Sequence, residues 1–385
     1  MKVETRLKSI PLHAERGISL ARGEGVYLWD DQGRRYLDLM TNYGVNLLGH
    51  ADPQVTEAVQ RQAATLSNAH QSFDSPARRE FLETLGGFLP ASLSRISFAN
   101  SGAEAVEAAL KYTRVATGRI GIIATHRAYH GRTFGALSAT ADEKYRQPFM
   151  PMLDGTRHVP YDNLLAIEQA MNNSIAAVII EPIQGEGGIR VPADGYLRGI
   201  RELCDAHSAL LIVDEIQTCF RTGAPFGFTR EEIVPDILCL SKSIANGLPM
   251  GVTVVTEAIS EKVPKGSHGG TFSGNPLVCA AATATLNVLA DASLHARAAA
   301  MGSRFIERVR DLKLPQIREV RGRGLMLAVE LKKPATPVIK AMQERGVLVL
   351  PAGGTVIRFL PSILIAEAEL DQGIEVLAAS IRQAA

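Results

Sequence analysis

The sequence predicts an α/β protein: a mostly parallel sheet with helices on both faces, joined to a smaller α+β unit. Three observations predict it. Short apolar runs rich in branched residues recur, among them Gly121-Ile122-Ile123-Ala124, Ala176-Ala177-Val178-Ile179-Ile180, Ala209 to Val213 and Ile237 to Leu240. Each is too short for a helix and reads as a strand covered on both faces. Helical segments with start and stop signals lie between them, the alternation that builds a parallel sheet. Finally, 385 residues exceed one ordinary core, so one large and one smaller unit are expected. The expected division is 1–45 as an N-terminal segment of the small unit, 46–276 as the large unit and 277–385 as the C-terminal small unit.

In chain order, Gly25 to Asp30 and Arg35 to Leu39 flank the turn Asp31-Gln32-Gly33 and read as a hairpin or meander. A glycine-bearing loop, Thr41 to His50, precedes a helix expected from Pro53 to about Leu66. Ile96-Ser97-Phe98 is a short strand followed by Asn100-Ser101-Gly102-Ala103-Glu104. Ser101 with Glu104 makes a capping box, and the helix runs to a stop at Gly118. Free amides at such a helix start attract phosphate, and Gly102 lets the backbone come close. After Gly121–Ala124 comes Ala128-Tyr129-His130-Gly131-Arg132-Thr133. His126 and His130 stand four apart, but Gly131 and the preceding strand oppose a helix, so no metal site is expected.

The strand 176–180 ends in Glu181-Pro182-Ile183-Gln184-Gly185-Glu186-Gly187-Gly188, and a helix is expected from Asp194 to His207. The next apolar run ends in Asp214-Glu215, and Ile237 to Leu240 ends in Ser241-Lys242. A carboxylate at the carboxyl end of a parallel strand points into the crevice where open sheets bind ligands. Two neighbouring strand ends thus deliver an acid and an amine into one cleft. Pyridoxal phosphate asks for that pair: a lysine to condense with its aldehyde and a carboxylate to keep its ring nitrogen protonated. Either residue alone reads as an ordinary surface group. Further on, Gly251–Val255 is a strand and His268 to Pro276 a loop. From about 277 one long Ala-rich helix is expected, then strands around 325–331 and 347–360 and a closing helix from about 366.

Composition excludes several classes. The chain is 46% hydrophobic and 21% charged, with 41 basic against 40 acidic residues. It has no basic field for nucleic acid or anionic lipid. No apolar run approaches the roughly 18 residues of a membrane span. The charged start, Met1 to Gly17, lacks a signal-peptide core. Cys204, Cys219, Cys239 and Cys279 form no CxxC pair and read as reduced packing residues of a cytoplasmic protein. No GxGxxG follows an early strand, which argues against a nicotinamide dehydrogenase.

Taken together, Asp214-Glu215-Ile216-Gln217-Thr218, Ser241-Lys242, the Ser-Gly-Ala turn, Tyr129 to Thr133 and Glu181 to Gly188 resemble the class III (subgroup II) pyridoxal phosphate-dependent aminotransferases. That family includes acetylornithine, ornithine and 4-aminobutyrate aminotransferases, and the likeness covers nearly the whole chain. The resemblance implies the fold-type I architecture and a set of roles. Lys242 would hold the cofactor and then move protons, and Asp214 would fix the ring charge. Ser101, Gly102 and Ala103 would hold the phosphate. Tyr129 would stack on the ring, where relatives usually carry phenylalanine, with His130 beside it and Ile216 on the other face. Gln217 would contact the 3-hydroxyl. Thr271 would reach the partner's cofactor phosphate, implying an obligate homodimer.

On the substrate side, the resemblance implies contacts from Tyr43, Gly270 and Arg132, the last gripping a carboxylate through its planar fork. Glu186 and Arg358 would form a switch: paired, they suit an amine end without a carboxylate; parted, Arg358 is free for the side-chain carboxylate of glutamate. The expected reaction moves the ω-amino group of N2-acetylornithine to 2-oxoglutarate. Carrier-protein (LysW)-linked lysine synthesis is a close second, suggested also by Arg318 to Met326 and Val356 to Pro361. Ornithine or 4-aminobutyrate follows, and an aminomutase or racemase is remoter. A non-catalytic protein that kept the fold is disfavoured by Lys242 and Asp214. The sequence departs from the family in three places. The loop Gln217 to Gly223 is one residue short and lacks two glycines, Ser243 to Gly247 replaces a glycine run, and Gly270 stands where acetylornithine enzymes have serine.

Overall fold

The computed structural model describes residue 7 and residues 9–384; the first residues of the expected N-terminal segment lie outside these. Three sheets organise the chain. The N-terminal strands β1 (Leu20–Glu24), β2 (Tyr27–Asp30) and β3 (Arg35–Asp38) form an antiparallel meander. Seven strands make the large sheet: β4 (Arg95–Ala99), β5 (Gly121–Thr125), β6 (Thr156–Val159), β7 (Ile175–Ile180), β8 (Leu210–Asp214), β9 (Ile237–Leu240) and β10 (Gly251–Val255). Their order is β4-β10-β9-β8-β7-β5-β6. β9, β8, β7, β5 and β6 run parallel, and β10 is antiparallel to both of its neighbours. The third sheet, β11-β12-β15-β14, is antiparallel and holds β11 (Ile317–Arg323), β12 (Met326–Leu331), β14 (Leu350–Pro351) and β15 (Val356–Phe359). β13 (Val347–Leu348) pairs in parallel with β3, tying the C-terminal region to the N-terminal meander.

Every residue of β7 and β9 is buried, as the apolar runs require. This core is what aims the strand ends. The two principal clusters of buried side chains hold the inner strands of the large sheet from both faces. Helix starts follow local chemistry: Asp52, Ser75, Ser101 and Asn275 each accept an amide of the first turn, and Gly118 closes its helix at φ 68°.

One expectation is corrected. The long Ala-rich helix is two helices, Pro276–Leu289 and Ala292–Asp311, meeting at 70°. Asp291 breaks the run, its carboxylate accepting the Ser293 amide at the start of the second helix. Residues 276–289 pack against the helices Pro53–Thr65 and Pro76–Gly86 beside the large sheet. No single described helix is long and apolar enough to cross a membrane.

Candidate active site

β8 and β9 are hydrogen-bonded neighbours, with Asp214 opposite Cys239. Lys242 follows three residues after that register position, at the end of the same strand pair. Asp214 is buried and doubly held: Oδ2 lies 2.7 Å from His130 Nδ1 and Oδ1 accepts the Ile216 amide at 3.0 Å. Burial alone would push the His130 imidazole down, yet the Asp214 carboxylate overrides it and holds its pKa above the usual histidine value. His130 Nε2 is buried without a partner. The sequence motif contains His130 but nothing in it reveals this pairing with Asp214.

Lys242 is half-buried and has φ 45°, a left-handed conformation that costs a non-glycine residue about 1–3 kcal/mol and clusters at working sites. Its amine has no hydrogen-bonding partner among the described residues. Burial lowers its pKa, with Arg358 acting the same way and Glu186 opposing.

Ser101 opens the helix that follows β4. Ser101 Oγ accepts the Glu104 amide at 3.2 Å. The reciprocal bond differs by one residue: Glu104 accepts the Asn100 amide at 2.6 Å. Gly102 packs under Ile216, where a Cβ would come within 2.9 Å of Cδ1. The Tyr129–Arg132 loop presses on this turn at Gly131 (φ 132°), where a Cβ would meet Ala103 Cβ at 2.6 Å and Cα at 2.9 Å. An open helix start, a buried carboxylate at the far end, an unpaired amine between strand ends and a neighbouring tyrosine fit pyridoxal phosphate.

The substrate side gathers around Arg358, fully buried on β15. Its Nη1 lies 2.7 Å from Glu186 Oε1 and donates to Gln217 Oε1 at 3.2 Å. The Tyr43 ring faces it, 5.5 Å from the guanidinium carbon. Tyr43 sits in a left-handed turn, Thr41 to Gly44, with φ between 40° and 85°. Arg132 is exposed and stacks over Tyr145 at 4.5 Å. A cavity of about 570 Å³ opens beside Tyr129, Tyr145 and Glu186 and is edged by Arg127, Lys144 and Arg190. A Cβ at Gly270 would lie 2.4 Å from Ser273 Oγ, a hydroxyl that would have to turn aside to admit it. Thr271 is exposed, as is its neighbour Phe272.

Two acidic residues of the quoted motifs carry no expected role but are built into the site. Glu181, at the end of β7, accepts the amides of Tyr129 and Gly185 and is pushed up to about 7, chiefly by burial. Glu215 accepts the Phe228 amide and the Thr218 hydroxyl and is likewise raised by burial to about 7. Their position at strand ends was the available signal, the same one that marks Asp214. In the shortened loop, Phe220 packs edge-on against Phe88 at 5.2 Å. Arg221 is fully buried, donates to Gly44 and is lowered to about 10 by burial.

A mostly parallel sheet that presents a lysine, an aspartate and a helix start at the carboxyl ends of its strands fits a pyridoxal phosphate-dependent transferase of fold type I. The family model for class-III aminotransferases matches residues 12–381. Acetylornithine aminotransferase of Methanopyrus kandleri is 42% identical over 371 residues, 95% of this chain and 94% of that protein. A LysW-aminoadipate semialdehyde/glutamate semialdehyde transaminase of Sulfolobus acidocaldarius is 41% identical over 96% of each chain. Among solved structures, ornithine aminotransferase of Toxoplasma gondii, with partial occupancy of pyridoxal phosphate at its active site, superposes with TM-score 0.90 at 35% identity over 97% of this chain and 91% of that one. Acetylornithine aminotransferase of Elizabethkingia anophelis gives 0.87 at 33% identity, over 97% and 96%. The chain belongs to the class III aminotransferases and is a pyridoxal phosphate-dependent aminotransferase.

Proposed function

We propose that this enzyme transfers the ω-amino group of an α-amine-blocked diamino acid, N2-acetylornithine, to 2-oxoglutarate. The observation that carries the reading is the 2.7 Å ion pair between Glu186 and buried Arg358. With the pair closed, no free cation meets the amine end of a donor. With Glu186 aside, Arg358 offers a planar fork to the second carboxylate of the acceptor. Arg132, exposed near the cavity, grips the carboxylate common to both substrates. The names of the 41–42% identical relatives support the same substrate class.

Pyridoxal phosphate, when bound, supplies the electron sink that makes the amine-bearing carbon acidic. Ser101, Gly102 and Ala103 would hold its phosphate, Asp214 its ring nitrogen, Gln217 its hydroxyl, and Tyr129 and Ile216 its two faces. His130 would keep the Asp214 carboxylate oriented. Lys242 Nζ removes the proton from the amine-bearing carbon and later returns one; burial shifts its pKa downward, toward the neutral form that this needs. Tyr43 lies across the substrate path, and Gly270 lines it without a hydroxyl.

A second reading is supported by the open cavity of about 570 Å³ and by the name of the 41% identical Sulfolobus acidocaldarius relative: the blocking group is a carrier protein. Thr271 and Phe272, both exposed, suit a homodimer in which Thr271 reaches the partner's cofactor phosphate. Four free buried thiols suit the reducing cytoplasm. Turnover with 2-oxoglutarate and N2-acetylornithine, carrier-linked lysine, ornithine or 4-aminobutyrate tests the reading. Preference for a blocked α-amine supports it; preference for free ornithine or 4-aminobutyrate overturns it.

A further inference from the structure

Glu181 uses each carboxylate oxygen to hold a different loop. Oε1 accepts the Tyr129 amide at 3.0 Å and Oε2 accepts the Gly185 amide at 3.0 Å. Among the described residues neither amide has another acceptor. One loop carries Tyr129 and His130 to the cofactor side of the cleft. The other carries Glu186, next in sequence to Gly185, to Arg358. The strut itself is rooted in the sheet, since Glu181 directly follows β7 and the Tyr161 hydroxyl donates to its carbonyl at 3.1 Å.

We infer that Glu181 is a positioning residue that fixes the Glu186 gate against the Tyr129 wall, so that losing one of its two bonds makes Glu186 easier to lift from Arg358. The inference rests on the proposed role of Arg358 in taking the acceptor's second carboxylate. An ionised carboxylate accepts at both oxygens, whereas a protonated one turns an oxygen into a donor facing an amide that is also a donor. Burial is the main reason Glu181 sits at about 7; Asp214 pushes the same way, while His130 and the two amides oppose. Lys242 and Tyr161 also face it. The sign follows. As pH falls through about 7, Glu181 takes a proton, one loop is released and the gate opens more readily.

The test uses the cofactor-loaded enzyme and glutarate, a dicarboxylate with neither amine nor keto group, titrated calorimetrically at about pH 6 and about pH 8.5, where the acid and base forms of a group near 7 dominate. Wild type is expected to bind glutarate at least about threefold more tightly at the lower pH, and Glu181→Gln to bind it that tightly at both, a shift matched to a gate equilibrium moved by the same factor. Hydrogen exchange without ligand supplies a readout independent of Arg358. In Glu181→Gln the amide of Tyr129 or of Gly185 should exchange about tenfold faster or more, because its acceptor is gone. Glu181→Asp, which keeps the charge but not the reach, should resemble the glutamine variant. Equal glutarate affinity, equal pH dependence and unchanged protection of both amides overturn the inference. If glutarate binds neither protein, the role of Arg358 fails and the gate with it.

Discussion

Arg358 and Glu186 stand 2.7 Å apart, the guanidinium fully buried and the carboxylate one quarter exposed. The buried partner cannot leave, so any opening must come from Glu186. Arg358→Leu should raise KM for 2-oxoglutarate about a hundredfold, the cost of losing a buried charge-assisted contact, with much less effect on the amino-donor half-reaction. Glu186→Ala should do the reverse, favouring donors that carry a carboxylate on the same carbon as the reacting amine. Single-turnover kinetics of each half-reaction separates the two.

Lys242→Ala should lower turnover by about two to four orders of magnitude, the range for a lost acid–base group. A small primary amine added to the assay should restore part of the rate. Native turnover in the variant would remove Lys242 from the chemistry.

Gly131→Ala should weaken cofactor binding, because its Cβ would press on the Ala103 backbone at a φ of 132°. Overpacking of this kind costs about 1–3 kcal/mol, so the dissociation constant should rise about tenfold or more. Fluorescence titration of the apo-enzyme with pyridoxal phosphate reads it.

His130 contributes stability with a definite pH sign. Its folded pKa lies above the unfolded value, so the contribution is complete below about 6.5 and fades as pH rises through the folded value. The stability gap between wild type and His130→Gln, from urea unfolding of the apo-enzyme, should therefore be larger at pH 6 than at pH 9.

Burial in the folded chain makes Glu215 a weaker acid. With its pKa raised from 4.5 to about 7, the native state binds the extra proton, and stability falls as pH rises between those values. The full loss is at most about 3 kcal/mol at 1.36 kcal/mol per unit. Glu181, raised to the same value, adds a like slope, so Glu215→Gln should remove about half of it, and urea midpoints at pH 5 and pH 8 provide the check.

The buried strands were legible because both faces are covered: β7, β9 and β8 up to Val213 are apolar and lead directly to the residues that matter. Two of the edge strands were not. β6 reads Thr-Arg-His-Val and β11 carries three arginines and a glutamate, since each lies at the margin of its sheet and has no apolar run to announce it. The reversed direction of β10 leaves no trace in its composition. The break at Asp291 hides inside an alanine-rich run where only a cap marks it. At the site, motif residues such as Lys242, Asp214 and Glu186 were readable, whereas the partnership of His130 with Asp214 and the strut at Glu181 depend on which strands lie side by side.

The pairing of β13 with β3 bears on how the molecule is made. A strand needed to complete the N-terminal meander leaves the ribosome more than three hundred residues after its partner. Until then the edge of β3 has no native neighbour and is open to another chain's strand. Loss of β13 should therefore be felt first as aggregation during synthesis, before any defect in the finished enzyme.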